Sequence, residues 1–190
     1  MKKIAAVLSC IIGLILLMTG CQSKSPYDDY EKITMNASWS YNYGSVEELS
    51  KSGDIAAVVK ITGAESELLN GIRFTTYDAQ IEELVAGTNE DSIKIVMTGG
   101  IDDTEKKIYE LADDPLMKLN DEFLIFAKQN QDGTYTILSG PQGRFEIKNN
   151  HVYSLNESNA QVKKANVGSN IKVNGENKDE FFKAVRKYAG

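Results

Sequence analysis

One histidine, two cysteines and a few short clusters of carboxylates, amides and aromatics are the groups in this 190-residue chain that could do chemistry. His151 is the single imidazole, so any Ser-His-Asp arrangement would have to use it. It follows Asn149-Asn150, a pair suited to a tight turn, and its plainer reading is a surface histidine on a hairpin. No G-x-S-x-G, H-E-x-x-H, P-loop or G-x-G-x-x-G pattern occurs. The stretch "GGIDDTE" could gather Asp102, Asp103 and Glu105 around a hard cation. It lacks the alternating D-x-D-x-D-G spacing, and Lys106 and Lys107 follow at once, so it reads as a solvated loop. Asp113-Asp114-Pro115 reads as a turn or helix boundary rather than an acid/base pair. The expectation is therefore no catalytic residue, no metal and no cofactor.

Two groups are candidates for binding. In "GPQGR" the glycines and proline preset a tight backbone, and Gln142 and Arg144 could offer donors to a carbonyl or carboxylate. The competing reading is a turn joining two core strands. In "WSYNY", Trp39, Tyr41 and Tyr43 fall at i, i+2 and i+4, one face of a strand. That face is either an aromatic platform for sugar rings or a peptide, or the packed side of an edge strand.

The composition excludes one partner class. With 27 acidic against 21 basic residues the formal charge is −6, which a phosphate backbone repels, so no nucleic acid is expected. Removing a leader that holds Lys2 and Lys3 makes the chain more negative by two charges. Beyond Cys10 and Cys21 no cysteine follows, so no disulfide holds the domain.

The N-terminus has the layout of a signal peptide: Lys2 and Lys3, then an almost wholly apolar run from Ile4 to Met18. As a helix that run spans about 22 Å, short of the roughly 30 Å of a hydrocarbon core, which disfavours a permanent span. Leu17-Met18-Thr19-Gly20-Cys21 resembles the lipobox of bacterial lipoproteins, with Met18 where Leu is usual. The resemblance implies diacylglycerol transfer to the Cys21 sulfur and cleavage between Gly20 and Cys21. Its small residues let a peptidase draw the backbone into a narrow site, and a thiol suits thioether formation. Acylated Cys21 would hold the protein in membrane lipid on the extracytoplasmic face of the cell membrane, two chains anchoring where one does not.

The elements that must position these groups are mostly strands. Residues 1–20 read as signal peptide, 21–38 as lipidated N-terminus and flexible tether, and 39–190 as one β-rich domain. Ser45 and Glu48 form a capping box for a short helix ending at Gly53. "DIAAVVKIT", "IRFTTYDAQIEELVAG", "SIKIVMTGG", "EFLIFAK" and "TYTILSG" read as strands, the second long and bent, and "RFEIKNNHVYSL" as a hairpin about Asn149-Asn150. Asn177 and Glu180 open a C-terminal helix with Phe181, Val185 and Tyr188 on its apolar stripe. This predicts a mainly β fold, a small antiparallel barrel or strongly curved sheet with a short N-terminal and a C-terminal helix. An OB-like barrel is the first choice and a sandwich the second.

Asn120-Asp121-Glu122-Phe123 and Gly140-Pro141-Gln142-Gly143-Arg144-Phe145 resemble a pattern of secreted or lipid-anchored bacterial proteins. The likeness covers residues 45 to 153, is built from fold-making residues and implies no activity. The functional expectation is a membrane-tethered, non-enzymatic module that binds an envelope protein or peptide. The alternative is an enzyme or a protease-inhibitor-like domain, the latter by fold analogy alone.

Overall fold

The computed structural model describes residues 26–160, 162 and 171–190. The chain divides after Tyr30; short of that point Tyr27 and Tyr30 meet edge to face at 5.3 Å. The fold is that of Glu31–Gly190.

It begins with strand β1, Glu31–Met35, which corrects the expectation of a tether running to residue 38. After an extended stretch, Ser45 caps helix α1, Val46–Ser52, accepting from the Glu48 amide at 3.2 Å. Glu48 reaches back to the Gly44 amide at 2.7 Å rather than to Ser45, a capping box widened by one residue. Strands β2, Ile55–Leu69, and β3, Ile72–Gly87, then form one long antiparallel hairpin with three register shifts that bend it. Strands β4 (Ser92–Thr98), β5 (Gly100–Asp102), β6 (Lys107–Leu111), β7 (Glu122–Gln129) and β8 (Tyr135–Ile137) follow. A 3₁₀ turn over Gly140–Gly143 leads into β9, Arg144–Lys148. Asn149 and Asn150, both at positive φ, turn it into β10, His151–Ser154, as the dipeptide predicts. Helix α2 (Leu155–Ser158), strand β11 (Asn174–Asn177) and helix α3 (Lys178–Ala189) follow among the described residues.

Five strands close in the order β7–β2–β3–β4–β8 and back to β7, with the β4–β8 pair parallel and the others antiparallel. The result is the OB-like barrel of the first choice rather than a sandwich, and β9, β10 and β11 extend the sheet from β7. Alternation sorts the side chains into two cores. Ile55, Ala57 and Val59 of β2 and Phe123, Ile125 and Ala127 of β7 share one cluster with Tyr77, Ile95 and Tyr135. Ala56 and Val58, with Leu124 and Phe126, join a second cluster containing Leu49 of α1 and Phe181, Phe182 and Val185 of α3. That double duty is why "FLIFA" is apolar without alternation. On α3 the buried stripe is Phe181, Phe182 and Val185, while the expected Tyr188 is only half-buried.

A second, three-stranded sheet, β1–β6–β5, includes a parallel β1–β6 pair. Nothing in the sequence pattern announces it: "EKITM" and "KIYEL" are short and half-polar.

Candidate functional site

The candidate residues Trp39, Gln142 and Arg144, together with the Tyr41 backbone, come together in one place, where the stretch 39–44 lies across the Gly140–Gly143 turn and the 113–115 segment. The stretch is not the edge strand its alternation predicts; residues 36–44 carry no strand. The reason is visible in the Gln142 side chain, which takes the place of a neighbouring strand. Its Oε1 accepts from the Tyr43 amide at 2.9 Å, while its Nε2 donates to the Tyr43 carbonyl at 3.2 Å and to Asn42 Oδ1 at 2.6 Å. Ser139 adds a hydroxyl donated to the Tyr41 carbonyl at 2.7 Å. Backbone groups satisfied by side chains need no strand partner.

Trp39 is half-buried and its Nε1 donates to Asp113 Oδ2 at 2.6 Å. Its ring lies over Gly140: a Cβ there would stand 2.3 Å from Trp39 Cη2. Tyr41, by contrast, is 51% exposed, packs against the Tyr43 ring at 4.6 Å and donates its phenol to Glu48. That phenol, and then the Gly44 amide, hold the Glu48 carboxyl below the usual carboxylate range. Tyr41 and Tyr43 therefore share a ring contact, while the Trp39 indole packs on Gly140.

Arg144 is 1% exposed and heads the fully buried side chains by size among the described residues. Its Nη2 donates to Asp114 Oδ1 and to the Pro115 carbonyl, both at 2.8 Å, and its guanidinium sits 5.1 Å above the Phe123 ring. Asp113-Asp114, expected as a boundary, is thus a buried acidic pair serving Trp39 on one side and Arg144 on the other. Asp113 Oδ1 and Arg144 Nε find no hydrogen-bond partner among the described residues. The donors of Gln142 and Arg144, candidates for a ligand, are directed inside the fold. What this cluster does chemically is brace the 39–44 stretch against the barrel.

Burial drives the Asp114 carboxyl up to about 6, outweighing the attraction of Arg144, with the Asp113 charge adding to the rise. At neutral pH the ion pair is formed. Because the native carboxyl binds its proton more tightly than the unfolded one, native stability from this group grows as pH falls from about 7 to about 4. It is lost again as pH rises through 6. The measurement is the unfolding free energy of wild type minus that of Asp114→Asn across this range. The difference is expected to increase toward acid, and a flat difference refutes the assignment.

Beside this brace, a cleft of about 350 Å³ has Arg144 and Phe123 in its lining. Among the charged residues that line it, Lys32 pairs with Glu110 at 3.1 Å and Lys148 with Glu146. His151 Nδ1 donates to the Asn149 carbonyl at 2.8 Å, and no carboxylate or hydroxyl partner for it occurs among the described residues. Asp102 pairs with Arg73 and accepts from the Thr104 and Glu105 amides at 3.0 and 3.1 Å. Gly20 and Cys21 lie outside the described residues.

The tip of the β2–β3 hairpin is not among the sequence-derived candidates. The chain turns there at Asn70 and Gly71, with φ of 52° and 82°, and carries Leu68, Leu69 and Ile72 exposed around the turn. The signal is present in "LLNGI", since Asn-Gly between apolar residues is a strong hairpin mark.

Comparison with models of known protein families and with curated proteins finds no match to this chain.

Proposed function

We propose that the protein is a lipid-anchored, extracytoplasmic binding module without catalytic activity, held at the cell membrane through acylated Cys21 and presenting its barrel to an envelope protein or peptide. The observation that supports the binding role is the hairpin tip, where Leu68, Leu69 and Ile72 are 62%, 54% and 51% exposed. Apolar surface concentrated on a protruding turn is unfavourable in water and useful at an interface. Anchoring is supported by the Leu17–Cys21 lipobox pattern, and no helix among the described residues is long and apolar enough to cross a membrane. Anchoring and recognition then separate along the chain, the first in its N-terminal segment and the second in the domain.

Fractionation of cells carrying Cys21→Ala tests the anchor. The wild-type chain is expected in the membrane fraction with the added mass of its lipid. The variant is expected to lose that mass and leave the membrane. A variant that stays membrane-bound at unchanged mass, in cells whose other lipoproteins respond to the same substitution, refutes it.

A further inference from the structure

We infer that the tip of the β2–β3 hairpin is a wedge that docks into an apolar socket rimmed by Lys or Arg on a protein partner. This deepens the binding-module reading and rests on it.

The tip projects beyond its neighbours. The β3–β4 ladder reaches only Phe74, opposite Thr98, whereas the hairpin continues through Leu68–Arg73 and Leu69–Ile72 pairs to its turn. Of the six large apolar side chains exposed among the described residues, three fall in the five residues from Leu68 to Ile72. The fold does not call for them: Asn70 and Gly71 supply the positive φ that the two-residue turn needs, and polar neighbours would serve equally well. Burying such side chains is favourable in water, so these three hold a gain the isolated chain leaves unrealised.

The wedge is also held still. Arg73 pairs with the Asp102 side chain and donates to the Ile101 carbonyl at 3.3 Å. Ser66 Oγ accepts from the Ile101 amide at 3.0 Å, and Thr75 Oγ1 donates to the Gly99 carbonyl at 2.9 Å. These contacts clamp the hairpin to β5 just behind its tip. A pre-ordered element loses little conformational freedom on docking.

Charge selects the occupant. The register pairs Leu69 with Ile72, Glu67 with Phe74 and Glu65 with Thr76, and strand alternation places all six on one face. Glu65 and Glu67 are exposed and make no salt bridge among the described residues; Lys94, which feels the Glu65 charge, is bridged to Asp78. The wedge therefore presents aliphatic groups at its end and two carboxylates behind them. An anionic lipid surface repels that arrangement, while a protein socket with a cationic rim complements it. The rim governs encounter and selectivity, and the buried aliphatics supply most of the affinity.

The test places a photo-crosslinking benzoylphenylalanine at Ile72 in the otherwise intact chain, with illumination in living cells. The expected result is one discrete protein adduct whose crosslinked peptide contains Lys or Arg beside apolar residues. The Glu65→Lys/Glu67→Lys pair is expected to reduce the adduct at least tenfold with unchanged thermal unfolding. The same probe at Gln131, in the β7–β8 turn, is expected not to form it. Vesicles of phosphatidylcholine alone and mixed with phosphatidylglycerol form the lipid arm. They are mixed with purified Cys21→Ala chain so that no acyl group contributes, and no binding sensitive to Ile72→Asp is expected. Absence of a protein adduct, an adduct indifferent to charge reversal, or Ile72-dependent vesicle binding overturns the proposal. A partner captured from Gln131 but not from Ile72 overturns the wedge and leaves the binding module standing. Failure of the anchor shows in the Cys21→Ala fractionation instead.

Discussion

Arg144→Met is expected to destabilise the domain by about 3–5 kcal/mol, because the buried Asp114 carboxyl, raised to about 6 even beside Arg144, must then either stay charged with no cation or take up a proton that the unfolded chain does not hold. Asp114 is 4% exposed, and its charged partner at 2.8 Å is Arg144. The loss reflects the uncompensated carboxyl, charged or protonated, rather than the net worth of the pair. Arg144→Met combined with Asp114→Leu should therefore recover much of it, since an apolar replacement of both charges removes the stranded one. Denaturant unfolding with circular dichroism as the probe measures all four members of the cycle. A single variant costing less than about 1 kcal/mol, within the range of an exposed pair, contradicts the burial argument. So does a double variant no better than its worse parent. A midpoint change at constant slope confirms that stability, and not the denatured state, has moved.

Gly140→Ala is expected to cost about 3 kcal/mol and to release Trp39 from the barrel. Two effects combine. The backbone stands at φ +50°, where a Cβ is unfavourable by about 1–2 kcal/mol. The added methyl would also lie 2.3 and 2.5 Å from Trp39 Cη2 and Cζ2 and 2.7 Å from Asp114 Oδ2, so the indole must leave. Its hydrogen bond to Asp113 is lost with it, and a bond to a charged group is worth about 1.5–3 kcal/mol. Trp39 is the chain's single tryptophan, so its emission reports the event directly: a red shift and easier quenching. Gly133→Ala separates the two effects. That glycine stands at φ +85°, and a methyl added to it would have nothing within 4 Å, so its substitution carries the backbone cost alone. Equal costs at the two positions, with Trp39 emission unchanged, refute the packing of the indole on Gly140.

Arg144, Trp39 and Gly140 all sit in segments whose importance is legible in the chain before their roles are. "GPQGR" and "WSYNY" stand out as separate candidates for binding, and the fold joins them. Gln142 and Arg144 attract notice for their donors, and those donors are used internally, on Tyr43 and on Asp114. Their partners are what local sequence conceals. A buried arginine demands a nearby carboxylate, yet the chain offers 27 acidic residues and nothing local singles out Asp114. The stretch 39–43 looks like a strand because alternation reports which side chains share a face, not what satisfies the backbone. Here a glutamine amide, about a hundred residues further along, replaces the strand that alternation implies. The hairpin wedge is a different case. Its Asn-Gly mark is local, and in "SELLNGI" it joins β2 directly to β3, so this turn is readable from neighbours alone.

Features that depend on neighbours in the chain are written in its residues. The capping box at Ser45, the Asn149-Asn150 turn, the Asn177 cap and the unbroken apolar run of β7 follow from local hydrogen bonding and periodicity. They suffice for the expectation of a small OB-like barrel. Features that join residues far apart emerge only when the chain is folded. Among them are closure through the parallel β4–β8 pair, the second sheet built on β1, and the choice of Asp114 for Arg144 and Asp113 for Trp39. Such pairings are set by which distant surfaces exclude water together, a long-range condition that no short window of residues encodes.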